Sequence, residues 1–284
     1  MTNATTTIAP GQPKLTTEQL GRLCGILYDR TGMVFGESKR YYIERRIEAR
    51  MRKTGVADAA RYIASLPFDE AELQALISAF TINETYFYRE DSQLAALSRD
   101  ILPRIVAGRT PGDLVRIWSM PCSTGDEGYS IAIWLLENWP MVDAWNIEIV
   151  ASDVDGAALD QARQGRYGER ALARLPQDVR DRYFGPVRNH VREIVDDLKE
   201  SIQISEANLI DARSMAAQGR FDVIFCRNVL IYFDDAAREV AARHLYDNLN
   251  PGGFLCLGHT ESMVRISDRF ELVRLDDAIV YRRV

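Results

Sequence analysis

The chain has 284 residues, of which 46% are hydrophobic and 27% charged, with a formal net charge of -6. That is room for one large domain or two modest ones, and the acidic balance argues against a general nucleic-acid binder. No apolar run is long enough to span a bilayer. Cys24, Cys122, Cys226 and Cys256 form no CxxC pair and read as reduced thiols of a cytosolic protein. Three widely spaced histidines do not make a zinc pattern, so no metal is expected.

Residues 1–13 are Thr- and Pro-rich without the basic-then-apolar order of a signal peptide and are expected to be a disordered tail. From 14 to 90 the pattern is helical. Thr16 and Gln19 make a capping box ahead of Leu20, Leu23 and Leu27. A second helix is expected over about Ser38 to Lys53, ended by Gly55. A third runs from Ala57 to Leu66, ended by Pro67, and a fourth, from near Asp69, carries Leu73, Leu76, Ile77 and Phe80. No strand interrupts this small bundle.

From 91 to 284 the texture changes. A helix (Ser92 to Ala107) leads to the run LVRIWS, a Gly-containing turn, a helix, and the run IEIVASD. FDVIFC, a helix from Asp235 to Leu249, PGG and FLCLG follow, then an antiparallel pair at FELVRL and AIVYRRV. Apolar runs alternating with amphipathic helices predict an α/β doubly wound sheet. Between Pro176 and Ser205 the rhythm breaks. The stretches VREIV and SIQI read as a small inserted β subdomain over about 178–204.

In such sheets ligands sit beyond the carboxyl ends of the strands. The first strand ends at Trp118-Ser119 and turns through MPCSTGDEG, where Gly125 lets the backbone approach a ligand. Alone, this turn is a weak signal. The second strand ends in Asp153, a carboxylate that could accept ribose hydroxyls or simply cap the next helix, though Asp155 fits the cap better. The block LNPGGFLCLG adds a PGG turn before a strand. A Gly turn, an acid and PGG in this order resemble the class I S-adenosylmethionine methyltransferases, whose fold is a Rossmann-like doubly wound sheet. A dinucleotide dehydrogenase would carry GxGxxG, which is absent.

Four further motifs sharpen the resemblance: TINETYFYRE (81–90), WSMPCSTGDEGYSIA (118–132), ASDVD (151–155) and FDVIFCRNVLIYF (221–233). In order and spacing the chain from about Leu15 to Val284 resembles the CheR family of chemotaxis receptor glutamate methyltransferases. The resemblance implies S-adenosylmethionine as cofactor and S-adenosylhomocysteine as product. Carried over residue by residue, it implies cofactor contacts at Asn83, Thr85, Arg89, Glu127, Asp153 (ribose), Asn208 and Leu209 (adenine), and Asn228 and Val229 (methionine part). Arg89 and Tyr232 would lie nearest the transferred methyl. From the residues alone, Tyr232 reads rather as a packed tyrosine with a satisfied hydroxyl. Met120, Pro121, Cys122 and Gly128 depart from the family's turn, which implies a tolerated backbone change.

The implied chemistry suits these residues. A glutamate side chain, with a pKa of about 4.3, is already ionised at neutral pH. No general base is needed, and alignment of carboxylate oxygen, methyl carbon and sulfur can be worth roughly 7–11 kcal/mol. Arg89 would orient the carboxylate without holding its charge too tightly, because that charge is lost in the transition state.

The implied partner is the acidic helical bundle of a chemoreceptor. The helix at 38–53 carries Lys39, Arg40, Arg45, Arg46, Arg50, Arg52 and Lys53, and all but Arg40 fall within an arc roughly 160° wide at about 100° per residue. A stripe of this kind is usually a solvated face; the resemblance implies docking instead. Family members that tether a receptor pentapeptide by β-augmentation have a Gly-rich loop in the inserted β unit. YFGPVRNHVREIVDDL lacks it, so no pentapeptide tether is expected. Nucleic acid and membrane insertion are not expected, and the NPPY-like motif of exocyclic-amine methyltransferases is absent. Rival readings are a methyltransferase of another carboxylate and a non-catalytic S-adenosylmethionine-sensing regulator.

Overall fold

A computed structural model describes residues 15–284; the expected tail at 1–13 lies outside them. The chain forms two compact units. One ends at Arg30 and resumes over Val34–Phe80, and the other comprises Thr31–Met33 and Thr81–Val284.

The first unit is helical: α1 (Thr17–Thr31, whose last residue belongs to the second unit), α2 (Arg40–Thr54), α3 (Ala59–Ser65) and α4 (Glu70–Phe80). The capping box forms, with Thr16 N donating to Gln19 Oε1 and Gln19 N to Thr16 Oγ1. The third helix starts later than expected because Asp58 caps it, its side chain accepting from Arg61 N at 2.7 Å. Leu23, Leu27, Ile43, Ile47, Leu66, Leu76 and Phe80 close the core. The basic stripe of α2 is divided by this packing. Arg50 pairs with Glu72 (Nε to Oε1, 3.0 Å), and Arg46 lies over the Tyr42 ring at 3.4 Å and donates to the Ala79 carbonyl. Glu44 is buried and accepts from Leu15 N and Arg40. Lys39, Arg45, Arg52 and Lys53, with Tyr41, remain exposed.

The second unit opens with the segment 81–90, which the sequence assigned to the bundle. It belongs here because Thr81 and Asn83 donate to Asp155 Oδ2, at 2.6 and 2.8 Å, and Phe87 packs edge-on against Tyr167 and Phe184. The helix expected over 92–107 forms as α5 (Asp91–Ala96), a π-helical stretch (Leu97–Ile101) and α6 (Leu102–Val106). Pro103 cannot donate to the turn before it, and the wider turn accommodates its ring.

Seven strands form one sheet: β1 (Leu114–Ser119), β2 (Asn146–Asp153), β5 (Ile202–Glu206), β6 (Phe221–Cys226), β7 (Leu249–Leu257), β8 (Phe270–Arg274) and β9 (Ile279–Arg283). Their order is β5-β2-β1-β6-β7-β9-β8, with β9 antiparallel to both its neighbours and the other pairs parallel. Helices α7 (Asp126–Asn138), α8 (Gly156–Gln164), α12 (Ala212–Ala217) and α13 (Asp235–Asp247) make the crossovers. The fold is that of the class I S-adenosylmethionine methyltransferases, with a helical N-terminal unit.

The inserted β unit begins and ends earlier than its sequence suggested. It pairs β3 (Arg166–Gly168) with β4 (Val191–Glu193) around α9 (Glu169–Leu172) and α10 (Gln177–Tyr183), while α11 (Asp196–Glu200) leads back to the sheet. The SIQI stretch is no part of it. It is the edge strand β5, parallel to β2 with Asp153 opposite Glu206. Its alternation reflects an edge strand with one face on the core, not a separate hairpin.

Candidate active site

The strand order reverses at β1, with β2 and β6 on either side, and a crevice opens there beyond the strand ends. Four connections line it. Met120 to Ser123 follow β1, Asp153 and Val154 end and follow β2, Asn208 and Leu209 follow β5, and Arg227 to Val229 follow β6. The segment from Thr81 to Arg89 forms the remaining side. Asn83, Thr85, Arg89, Glu127, Asp153, Asn208, Leu209, Asn228, Val229 and Tyr232 thus all face one cavity, although they are spread over most of the unit.

Asp153 is 4% exposed and accepts from Ser123 N at 2.7 Å and Asp155 N at 2.9 Å. Burial pushes its pKa up to about 6, against the pull of those two amides. The neighbouring Asp155 does cap α8, as its position suggests: Oδ1 accepts from Ala157 N and Ala158 N, and Oδ2 takes Thr81 and Asn83. Asn83 reaches on to the turn after β1, accepting from Ser123 Oγ at 3.0 Å. That turn holds Met120-Pro121 cis and puts Ser123 at φ 50° and Gly125 at φ 87°. Gly128 packs closely against β2, where an added Cβ would stand 3.1 Å from that of Ala151.

Glu127 does not stand alone. Its two oxygens accept from Ser119 Oγ (2.7 Å) and Arg227 Nη1 (2.8 Å). Arg227 is 5% exposed and is shared. It also pairs with Glu90 at 2.9 Å and donates to the carbonyl of Arg89 at 2.7 Å. Burial raises the pKa of Glu127 in spite of Arg227. At Glu90 burial pushes the same way, but Arg227, with His259 and Arg89, outweighs it and the pKa is lowered. One guanidinium therefore ties the segment before α5, the start of α7 and the loop after β6.

That loop is held from its other side by Glu261. Oε1 accepts from Val229 N (2.9 Å) and Leu230 N (2.7 Å), and Oε2 accepts from Asn228 N (2.7 Å) and Gly258 N (2.9 Å). Asn228 sits at φ 60°, and a Cβ on Gly258 would stand 2.7 Å from its side-chain nitrogen. Sequence reasoning missed both Arg227 and Glu261. Arg227 stands inside a quoted motif and could have been suspected as a charge directly after a fully buried strand; Glu261 carries no periodic signal.

The donor set fits S-adenosylmethionine. Carboxylates and carboxamides (Glu127, Asp153, Asn83, Asn208) suit hydroxyls and an ammonium, while Met120, Val154, Leu209 and Phe233 offer an apolar wall to a base. Arg89 also lines the cavity, lies 5.8 Å from the Tyr86 ring and donates to the Glu84 carbonyl. Among the described residues no carboxylate pairs with it. Tyr232 ends a short 3-10 turn at the same cavity.

The chain matches two family models: the CheR methyltransferase all-alpha domain over residues 18–81, and the CheR methyltransferase SAM binding domain over residues 83–279. It is 43% identical to chemotaxis protein methyltransferase 2 of Vibrio cholerae over 94% of this chain and 93% of the relative. It is 36% identical to the chemotaxis protein methyltransferase of Salmonella typhimurium (88% and 86%). To that of Vibrio parahaemolyticus it is 33% identical (90% and 93%).

Proposed function

Because the chain belongs to the CheR methyltransferase family, we propose that it esterifies glutamate side chains of chemoreceptors with the methyl group of S-adenosylmethionine. It is an S-adenosylmethionine-dependent methyltransferase of chemotaxis. The observation that carries the glutamate reading is Arg89, a guanidinium facing the cavity with no carboxylate of its own among the described residues. An incoming carboxylate would supply that partner by paired hydrogen bonds.

The residues divide the work between holding and aiming. Asp153 would accept the ribose hydroxyls, Asn208 and Leu209 would flank the adenine, and Asn83 and Thr85 would cover the cofactor from the linker. Glu127, Asn228 and Val229 would hold the methionine part, and Glu127 is itself fixed by Ser119 and Arg227. The cofactor supplies a methyl already activated by its sulfonium. Arg89 and Tyr232 orient the acceptor, and no proton has to be moved, because the glutamate arrives ionised. Tyr232→Phe would then lower turnover at saturating substrate; wild-type turnover would remove the hydroxyl from the mechanism.

Docking falls to Lys39, just before α2, and to Arg45, Arg52 and Lys53 on the exposed part of α2, against the acidic receptor bundle in the cytoplasm. The enzyme works without a pentapeptide tether. Supporting this, β3 and β4 are three residues each, and the turn into β4, through Asn189 (φ 50°) and His190 (φ 63°), is tight and contains no glycine. The test is radiolabelled methyl transfer to receptor membranes with and without their C-terminal tails. Base-labile label independent of the tail is expected. Cofactor binding without transfer would favour the regulator, and transfer only to small carboxylates would favour the other rival.

A further inference from the structure

A second guanidinium stands at the same ring as Arg89. Arg174, exposed in the turn after α9, lies 5.3 Å from the Tyr86 centroid, and Arg89 lies 5.8 Å from it. The juxtaposition is built into the backbone. Phe87 N donates to the Ala171 carbonyl at 3.0 Å, and Phe87 is fully buried against Tyr167 and Phe184. The segment 84–89 and the residues after β3 are therefore fastened side by side.

The charges on this strip do not balance. Arg170 pairs with Glu84 at 3.4 Å, with side chains 92% and 67% exposed, so that pair is worth little and attracts little. Arg89 and Arg174 are left, and neither pairs with a carboxylate among the described residues. One ring serves both cations, and their distances to it keep them within about 11 Å of one another, a little beyond the Debye length of roughly 8 Å at physiological salt. At that separation salt screens most of their mutual repulsion, and an anion that comes between or beside them is attracted by both. Arg89 faces the cavity, whereas Arg174 does not line it. An anion engaging both must extend beyond the reacting carboxylate.

The geometry points to Arg174 as an acceptor-binding residue that receives a second acidic side chain of the acceptor, flanking the glutamate to be methylated. This rests on the glutamate-acceptor reading and deepens it. The site takes an acidic protein segment, and Tyr86 is the platform that presents both guanidiniums to it. Arg174 acts on recognition, not on the methyl transfer itself.

The experiment compares the unaltered enzyme with Arg174→Glu and Arg174→Gln, using the cytoplasmic fragment of a chemoreceptor as acceptor. Initial rates are taken at low and high salt, and S-adenosylhomocysteine affinity is read by calorimetry. Rim charges act mainly through association and its salt dependence, so about a fivefold to tenfold loss of kcat/KM is expected for Arg174→Glu at low salt, shrinking at high salt. Arg174→Gln should lie between, with kcat and cofactor affinity unchanged in both. Unchanged kcat/KM in both variants overturns the proposal. So does a parallel loss of cofactor affinity, which would make Arg174 a structural support of the cavity. Failure of the unaltered enzyme to label the fragment while binding cofactor would instead overturn the glutamate reading, and this inference with it.

Discussion

Replacing Glu261 by Gln changes one atom of a side chain that touches no reacting group, yet it should damage the cofactor cavity. In the native chain each carboxylate oxygen accepts two backbone N–H groups, at 2.7 to 2.9 Å. Glutamine keeps one acceptor and turns a donor towards the other two amides. Two charge-assisted bonds are lost, each worth about 1.5–3 kcal/mol, and the remaining two fall to neutral strength. Glu261 is only partly buried, so water recovers a share, and a net cost of about 2–4 kcal/mol is expected. The cost falls on Asn228 and Val229 first, because Asn228 already stands at φ 60°. S-adenosylhomocysteine affinity, read by calorimetry, should drop at least about tenfold, the equivalent of about 1.4 kcal/mol. Gly258→Ala, which forces a Cβ against Asn228 and Glu261, should give the same phenotype. If Glu261→Gln binds within twofold of the unaltered chain with an unchanged urea midpoint, the four-amide anchor is not what holds the loop.

Other perturbations separate the remaining parts of the site. Asp153 has a folded pKa of about 6 against an ordinary 3.8, so between about pH 4 and 6 the folded state holds a proton that the unfolded state has released, and stability falls as pH rises through that window. Cofactor binding to the ionised carboxylate should therefore weaken below about pH 6 and release protons near it; calorimetry in two buffers of different ionisation enthalpy should show this, and Asp153→Asn should abolish it. Arg227→Met leaves Glu90 and Glu127 without their shared cation and should cost about 3–5 kcal/mol in chemical denaturation; a loss below about 1 kcal/mol, the scale of an exposed pair, would mean water already reaches the network. In the helical unit, Arg45→Glu with Lys53→Glu should slow receptor methylation most at low salt with stability unchanged, while Arg50→Glu should lower the melting temperature by stranding Glu72. Equal kinetics at all salts for the first pair would remove α2 from docking.

How much of this was legible in the sequence depends on the range of the interactions. The capping box at Thr16 and Gln19, the stop at Gly55 and the Asp155 cap are local, and residue type announces them. The motif residues could be placed around one cavity because strand ends converge wherever a doubly wound sheet reverses its order. What escaped was non-local. SIQI alternates as an edge strand does, and nothing in four residues says which sheet it joins. Arg46 and Arg50 look like their exposed neighbours Arg45 and Arg52, and only Glu72 and the Ala79 carbonyl distinguish them. Glu261 gathers three amides from the loop 228–230, 31 to 33 residues away in sequence, besides that of its neighbour Gly258, which no pattern records.

The double duty of Asp155 sets where this protein could be cut. A methyltransferase fragment begun at residue 91, where the texture of the sequence changes, would discard Thr81 and Asn83, both of which donate to Asp155 Oδ2. It would also discard Thr85, Arg89 and Glu90, and with Glu90 one of the two counter-charges of Arg227. A fragment begun at Thr81 keeps all of them. For anyone trimming the chain for crystallisation or grafting its catalytic unit onto another recognition module, the end of α4 is the better of these two seams, though it still gives up Thr31–Met33, which belong to the same unit and bring Thr31 and Met33 to the cavity wall.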